Sequence, residues 1–256
     1  MMMRLLEKIG SFVLGMFEWV GSVILLLAAS VKEMRRPLRP RHIFAQMSHR
    51  GVDSLAIVSL TMLFTGMVMT LQVAHEFIRF GAQSTIGGVI AIAVGRELGP
   101  VLVGVVCAGR VGSAITAEIS TMKVTEQIDA LRVMATSPIG YLVVPRMIAC
   151  VCMVPLLTVF GDVIGIFGGW FVATQYTGIA SYTFTNSIRV FAVPHDITGG
   201  LIKAAVFGVV IAVLGAWYGL HAPEGAEGVG RATTRSVVAA IFCIFFLNVF
   251  LSFVLY

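Results

Sequence analysis

The stretch Gly95–Pro145, GRELGPVLVGVVCAGRVGSAITAEISTMKVTEQIDALRVMATSPIGYLVVP, sets two charges inside an apolar run that is long enough to cross a bilayer. The charges are Arg96 and Glu97, and a polar, helix-prone segment follows them and ends at Pro138. A charged step within a membrane span, joined directly to a short soluble helix, is an unusual combination. The rest of the chain is therefore interpreted as a membrane scaffold around this stretch.

The composition indicates an all-α membrane protein. Of the 256 residues, 58% are hydrophobic and 12% are charged, whereas about a quarter of a soluble domain is charged. The net charge of +5 is attributed to basic loops on the cytoplasmic side and not to nucleic-acid binding. The four cysteines lie in apolar runs without metal-ligand spacing, and no lysine lies in a phosphate-binding loop. We therefore expect a non-catalytic chain without a cofactor, in which any ATP and Mg²⁺ are bound by a separate partner.

The chain is predicted to form one domain, residues 1–256, that begins with a peripheral segment. Apolar residues recur every three or four positions in residues 1–31, which favours an amphipathic helix lying in the membrane interface. The second half of this segment is apolar enough that a true span is also possible. Residues 32–51 are rich in arginine and are predicted to be a basic cytoplasmic connector at the anionic leaflet.

Residues 52–256 are predicted to form a bundle of about five transmembrane helices. The predicted spans are residues 52–74, 84–108, 147–173, 199–220 and 237–256. Most of the 18 Lys and Arg residues fall on one side of these spans, so the N-terminus is predicted to be cytoplasmic and Tyr256 to be on the other side. Pairs of glycines four residues apart, such as Gly161/Gly165 and Gly215/Gly219, indicate closely packed helices.

Arg96 and Glu97 are the main candidates for function. A charge at mid-membrane costs about 2.5–3.5 kcal/mol on insertion scales, so two neighbouring charges imply a use. The two residues are about 100° apart on a helix and cannot simply neutralise each other. Pro100 lacks an N–H, which leaves the Arg96 carbonyl without its helical partner. A polar functional cavity is favoured, and a structural ion pair between helices is the alternative.

Three further charged residues are ambiguous from the sequence alone. Asp162, near the centre of its span, is predicted either to pair with Arg96 or to hydrogen-bond within the bundle. Lys203 lies near the outer end of its span and would extend its ammonium to the interface by default. Arg231 precedes the last span and is typical of an anchor at the inner leaflet.

The segment 116–135 is predicted to be a short cytoplasmic helix with one apolar face. Met122, Ile128 and Leu131 share that face, while Glu118 and Glu126 belong to the charged remainder. Such a helix is suited to docking in a groove of a soluble partner. A helix lying flat on the membrane is the alternative.

Two motifs resemble those of a known family. RELGPVLVGVVCAGRVGSAITAEISTMKVTEQIDALRVMATSPIGYLVVPR (96–146) is similar to the signature region of the MlaE (YrbE) permease family, and GVGRATTRSVV (228–238) resembles the segment before that family's last span. These permeases are membrane subunits of bacterial ABC-type lipid transporters that work with MCE proteins. The likeness extends from about Gly51 to the C-terminus.

The resemblance implies a homodimer in the bacterial inner membrane that encloses an outward-opening lipid cavity. It also implies three partners: an ATPase of the MlaF type, a periplasmic MCE-domain protein of the MlaD type and a STAS-domain protein of the MlaB type. The N-terminal segment would be an elbow helix, and 116–135 would be the coupling helix seated in the ATPase. On this basis the ATPase-coupling residues are expected to be Glu118, Met122, Glu126, Ile128 and Leu131.

The resemblance further implies a phospholipid site formed by Arg96, Glu97, Lys203 and Arg231; it assigns no role to Asp162. The leading hypothesis is a permease that moves phospholipid between the inner and outer membranes and so maintains outer-membrane lipid asymmetry. One alternative is an ion- or proton-coupled secondary transporter that uses Glu97 and Asp162. Others are a permease for another lipid such as a sterol, and a structural scaffold for a periplasmic complex.

Overall fold

A bundle of long helices makes up the fold. The computed structural model describes residues 2–35 and 40–256, and these residues form helices and no strands. The helices, in chain order, are α1 (Met2–Glu33), α2 (Pro40–Arg79), α3 (Gln83–Val124), α4 (Gln127–Val133), α5 (Ile139–Gln175), α6 (Ser181–Phe191), α7 (Pro194–Leu220) and α8 (Gly225–Leu255). Among the described residues, six helices are long and apolar enough to cross a membrane: α1, α2, α3, α5, α7 and α8. The predicted all-α membrane fold is confirmed.

The first two helices differ in detail from the sequence-based boundaries. α1 reaches Glu33 as one helix, and its residues Val13–Glu33 have the length and composition of a span. Whether α1 lies in the interface or crosses the membrane stays a prediction. The predicted connector 32–51 is largely helical, because α2 begins at Pro40, a residue whose fixed φ suits the first turn of a helix. Residues 36–39 of that connector lie outside the described part of the chain.

Glycines allow α2 and α5 to approach closely. A Cβ at Gly66 of α2 would meet the backbone of Gly165 of α5, and one at Gly161 would meet Met62. The predicted four-residue glycine spacing along α5 therefore faces a neighbouring helix. Gly215 of α7 likewise packs against Ile115 of α3. Such spacing lets backbones touch where lipid gives no hydrophobic drive for helix association.

The connection between the predicted spans 147–173 and 199–220 contains the helix α6. Its Phe184 is buried, and its Ser187 Oγ accepts a hydrogen bond of 2.9 Å from the Gly88 N–H of α3. α6 thus covers the N-terminal end of α3, where Gly87 leaves room for the Phe184 backbone. α7 is the most buried of the long helices, and it holds α3, α5 and α8 together.

Candidate functional site

The site begins at a π-helical turn in α3. Residues Val94–Leu98 form this turn, and the N–H of Gly99 bonds to the Val94 carbonyl five residues earlier. A π turn inserts one residue into an α-helix and is frequent at functional positions. Pro100, which cannot donate to a preceding carbonyl, follows directly. The turn presents Arg96 and Glu97 to two different neighbours, so each charge is paired with another residue, as expected, and not with its own neighbour.

Glu97 is bound by the side chains of two other helices. Its Oε1 accepts a hydrogen bond of 2.7 Å from Lys203 Nζ and lies 2.9 Å from Ser252 Oγ. Its Oε2 accepts a hydrogen bond of 2.9 Å from Asn248 Nδ2. Lys203 lies on α7, whereas Ser252 and Asn248 lie one turn apart on α8. Glu97 therefore joins α3, α7 and α8 at one point.

Lys203 turns inward and is fully buried, so the default expectation that it reaches the interface is wrong. Its Nζ lies 2.7 Å from Glu97 Oε1, 2.7 Å from Ser252 Oγ and 3.1 Å from the Arg96 carbonyl. These three acceptors match the three protons of an ammonium. The Arg96 carbonyl is the one that the sequence predicted to lack a helical partner because of Pro100. The lysine supplies that partner from the next helix.

Arg96 pairs with Asp196 of α7. Its Nη2 and Nε lie 2.6 and 2.7 Å from Asp196 Oδ1. Asp196 Oδ2 accepts the N–H of Val193 at 3.0 Å and so caps the start of α7. The ring of Tyr256 lies 4.4 Å from the Arg96 guanidinium, and its hydroxyl donates to the Asp196 carbonyl at 3.0 Å. Both ring and carboxylate hold the guanidinium in place.

Sequence reasoning missed Asp196, which lies just before the predicted span 199–220. A local signal was present, because Pro194 and Asp196 occupy the first and third positions of a helix, where proline and acidic residues are favoured. Of the two alternatives predicted for Asp162, pairing with Arg96 is wrong, because Arg96 pairs with Asp196 instead.

Arg96, Glu97, Asp196 and Lys203 together form what we call the four-charge cluster. Its formal charges cancel. The Asp196 and Lys203 side chains are only 3% and 0% exposed, whereas those of Arg96 and Glu97 are 37% and 40% exposed. The cation Arg96 and the anion Glu97 therefore both remain partly accessible. Each forms an ion pair with a buried residue of α7, Arg96 with Asp196 and Glu97 with Lys203. Neither is sealed within packed helices.

Neither of the two other candidate residues is bound to the cluster: Asp162 lies beside the π-helical turn without pairing with Arg96, and Arg231 lies far along α8. Asp162 of α5 is buried against Gly99, and its Oδ1 has no hydrogen-bond partner among the described residues. Arg231 pairs with Glu227 at 3.2 Å on the exposed first turns of α8. It precedes Asn248 by 17 residues, or about 25 Å of helix. Within the single chain, Arg231 and the four-charge cluster do not share a site.

The segment 116–135 is not one helix. α3 continues through its first part to Val124, and α4 begins only after Glu126, whose φ of 59° breaks the helix. Ile128 is buried, and Met122 and Leu131 pack against the same core. The apolar face that was predicted to dock on an ATPase thus covers the end of this chain's own bundle. The reason is that α4 is short and can bury its apolar side against the ends of α3 and α7.

The residues that α4 and its flanks expose are different ones. Glu126 is exposed, as expected for a docking residue, and so are Val133 and Met134 at the end of α4. Any partner on this face would meet these side chains and not Ile128.

Glu118 has a contact within the chain that the sequence did not indicate. Its Oε2 lies 2.7 Å from Arg50 Nη2 of α2 and 2.9 Å from Arg146 Nη2 of α5. The two arginine side chains are buried, and Glu118 is about half exposed. Arg146 also donates to the Leu142 carbonyl at 2.6 Å. We call Arg50, Glu118 and Arg146 the arginine clamp, because these residues join α2 and α5 to the C-terminal part of α3.

The fold and the four-charge cluster define a polytopic helical membrane protein with a partly open ionic site in its bundle. Comparison with known sequences specifies the class. A sequence model described as permease MlaE matches residues 43–254. The chain belongs to the MlaE permease family.

Relatives described as probable ABC transporter permease proteins support this assignment. One from Synechocystis is 48% identical over 216 residues, covering 84% of this chain and 82% of the relative. One from Rickettsia felis is 41% identical over 239 residues, covering 93% of this chain and 92% of the relative. The Arabidopsis thaliana chloroplastic protein named trigalactosyldiacylglycerol 1 is 37% identical over 238 residues, which cover 92% of this chain and 68% of that protein. The chain is thus similar to permease subunits of ABC transporters.

Proposed function

We propose that this chain is the non-catalytic membrane subunit of an ABC transporter that moves phospholipid between the inner and outer bacterial membranes, and that the four-charge cluster receives the lipid head group. The observation that carries the proposal is the exposed Arg96–Glu97 pair, held by the buried Asp196 and Lys203. An amphiphile needs apolar surroundings for its tails and a polar point for its head. The name of the Arabidopsis relative, which is that of a diacylglycerol lipid, supports a lipid cargo.

The hydrogen-bond inventory indicates how a head group would be held. Arg96 uses Nε and Nη2 for Asp196, so its Nη1 faces no acceptor among the described residues. A guanidinium with spare N–H groups suits a phosphate. Glu97 Oε2 accepts one hydrogen bond, from Asn248, and a carboxylate oxygen has room for a second. A head group that carries both a phosphate and an ammonium would use both residues.

The proposed assembly follows the family. The chain would form a homodimer in the inner membrane, with a cytoplasmic N-terminus and a periplasmic C-terminus. An ATPase of the MlaF type would bind at the α4 end, with ATP and Mg²⁺ in that partner. An MCE protein of the MlaD type would continue the lipid path in the periplasm, and a STAS protein of the MlaB type would complete the complex. Arg231 stays a proposed head-group contact that is separate from the cluster, at the inner end of α8.

The test is mass spectrometry of lipid bound to the purified complex. Arg96→Gln removes the charge and leaves a shorter polar side chain that can still donate a hydrogen bond. We expect it to lower the amount of phospholipid retained per complex by about tenfold, which corresponds to about 1.4 kcal/mol. The matched control is Arg79→Gln, because Arg79 is a surface arginine paired with Glu76 within α2. Equal retention in the two variants would contradict the proposal.

A secondary transporter is the second candidate, and Asp162 favours it. A buried carboxyl with an unpaired oxygen is a possible proton carrier. Glu97, the other proposed carrier, is less suited, because Lys203, Asn248 and Ser252 all bind it. Lipid movement in vesicles separates the two functions: we expect dependence on ATP and the ATPase subunit, and no response to a protonophore.

A further inference from the structure

A cavity lies at the other end of the bundle from the four-charge cluster. Its volume is about 590 Å³, within the range of about 300–1,000 Å³ that is typical of small-molecule sites. It is bounded by α1, by α4 with its flanks, and by the end of α7. Trp217, which lines it, is 14 residues from Lys203 along α7, or about 21 Å. The cavity is therefore separate from the proposed transport site.

The walls of this cavity are apolar and its rim is basic. Leu26 of α1, Ile128 of α4 and Leu220 of α7 belong to the walls. Lys123 and Arg132 contribute positive charge, and Asp129 is the one acidic residue among the lining side chains. The formal charge of the lining is thus positive. A ligand that matches it has a hydrocarbon part and a negative head.

The basic side chains keep donors available. Lys123 Nζ donates to the Ala222 carbonyl at 2.9 Å, which uses one of its three protons. Arg132 Nη1 donates to Asp129 Oδ1 at 2.8 Å, which leaves Nε and Nη2. Ring nitrogen Nδ1 of His221 lies 2.8 Å from the Trp217 carbonyl and must carry the proton there, so His221 uses its donor within the chain and Lys123 and Arg132 supply the free donors. A phosphate oxygen is a suitable acceptor for such a group of donors.

The surroundings place this cavity at the depth of lipid head groups. Trp19 of α1 and Trp217 of α7 meet beside it, with ring centroids 6.2 Å apart, and tryptophans are enriched at membrane–water interfaces. Leu25, on the α1 side, is 71% exposed and offers an apolar surface that continues from the cavity outward. The positive charge of the rim, the apolar walls and the neighbouring tryptophans all favour an occupant with a negative head and a hydrocarbon chain.

We propose that this cavity binds an anionic lipid of the membrane leaflet at the α4 end, with its phosphate at Lys123 and Arg132 and an acyl chain along Leu26 and Ile128. This lipid is a resident of the bundle and not the transported cargo. It fills the space between α1 and the segment that precedes α5. Near an anionic surface a basic residue contributes about 1 kcal/mol, and because Asp129 offsets one of the two basic residues of the lining, the expected preference is about fivefold.

Tryptophan fluorescence tests the proposal in the full chain, since the chain has three tryptophans and Trp217 lines the cavity. The variant Trp19→Phe/Trp170→Phe leaves Trp217 as the reporter. It is placed in phosphatidylcholine vesicles that contain acyl-brominated phosphatidylglycerol or, at the same fraction, acyl-brominated phosphatidylcholine. We expect half-maximal quenching of Trp217 at about fivefold less of the brominated anionic lipid.

Two controls make the result specific. Trp19→Phe/Trp217→Phe leaves Trp170, which bonds to Ser181 Oγ at the opposite end of the bundle, and both lipids should quench it equally. Adding Arg132→Gln to the Trp217 reporter should reduce the preference, and adding Lys123→Gln as well should remove it. Arg132 is 66% exposed, so that single substitution remains testable if the double variant is unstable.

Three outcomes would overturn the inference. They are equal quenching of Trp217 by the two lipids, a preference that survives both substitutions, and a preference that inorganic phosphate abolishes. The last would identify free phosphate as the ligand. None of these depends on whether the four-charge cluster binds lipid, because the experiment measures neither transport nor lipid retained at Arg96.

Discussion

The four-charge cluster and the arginine clamp use the same residue types in opposite ways. In the cluster, each exposed charge has its own buried counter-ion, and the formal charges cancel. In the clamp, the two buried guanidinium groups share one oxygen of a half-exposed carboxylate, and one positive charge is left over. The cluster therefore presents a charged pair to a visitor, whereas the clamp uses up its only carboxylate in joining helices. The exposure of the cation and the charge balance, and not residue identity, therefore distinguish a binding site from a structural contact between helices: Arg96 is partly exposed, whereas Arg50 and Arg146 are buried.

The largest expected effect comes from breaking the clamp with Glu118→Gln. The substitution leaves two buried guanidinium groups facing each other without an anion. Removing one partner of a buried ion pair costs about 3–5 kcal/mol, and we expect about 2 kcal/mol here because Glu118 is half exposed. The melting temperature of the purified protein should fall clearly, with loss of folded material.

Glu227→Gln is the matched control for the clamp. Glu227 forms an exposed i,i+4 pair with Arg231 at 3.2 Å, and such pairs contribute about 0.3–0.5 kcal/mol. Its melting temperature should stay close to that of the parent. If Glu118→Gln had the same melting temperature as Glu227→Gln, the clamp would not hold helices together. An ATPase contact would then become the better role for Glu118.

Lys203→Met, alone and combined with Glu97→Gln, tests whether the four-charge cluster is also only a structural contact between helices. Lys203→Met leaves Glu97 without its buried cation, and we expect it to lower both the stability and the amount of retained lipid. Adding Glu97→Gln removes the unpaired charge, so stability should recover by at least about 1 kcal/mol. Retained phospholipid should remain about tenfold below the parent, because the exposed anion is gone. Recovery of both quantities in the double variant would make the cluster structural, like the clamp.

The sequence predicted the bundle and one detail of the cluster correctly. Spans could be found because apolar length is set by bilayer thickness. The unsatisfied carbonyl of Arg96 could be found because Pro100 lacks an N–H, a covalent fact. Glycines four residues apart predicted closely packed helices, because a residue without a Cβ lets two helix backbones approach.

The sequence could not predict which charged residues of different helices form ion pairs. Asp196 is 100 residues from Arg96, and Lys203 is 106 from Glu97, so only packing decides which charges meet. The face of α4 was misassigned because an apolar stripe indicates burial without saying against what. Here Ile128 is buried by the chain itself. The periodicity of apolar residues does not show whether a helix buries its apolar face against its own chain or against a partner.

Substitutions of Tyr256 are expected to have a smaller effect on retained lipid. They test whether an aromatic ring beside the cations distinguishes the cluster from the clamp. Its ring lies 4.4 Å from the Arg96 guanidinium and 5.1 Å from Lys203 Nζ, whereas no aromatic ring is placed over the clamp among the described residues. Cation–π contacts contribute about 0.5–1 kcal/mol or more. We expect Tyr256→Leu to lower retained lipid about fivefold. Tyr256→Phe, which keeps the ring and loses only the hydroxyl bond to Asp196, should change it less than twofold.

The smallest effect is expected for Asp162→Asn, and it decides the role of the remaining intramembrane carboxyl. Asp162 belongs to neither group: its Oδ1 is buried without a partner among the described residues, and it lies against Gly99 on α3. An isolated ionised carboxylate would be costly there, so asparagine, of nearly the same shape, should change stability and ATP-driven lipid movement less than twofold. A transporter that moves protons through this residue would instead lose its activity, since asparagine carries no titratable proton. Lipid movement by vesicles holding Asp162→Asn therefore separates a packing residue from a proton carrier. If activity were abolished while folding was intact, the four-charge cluster would not be the only ionic site on the transport path.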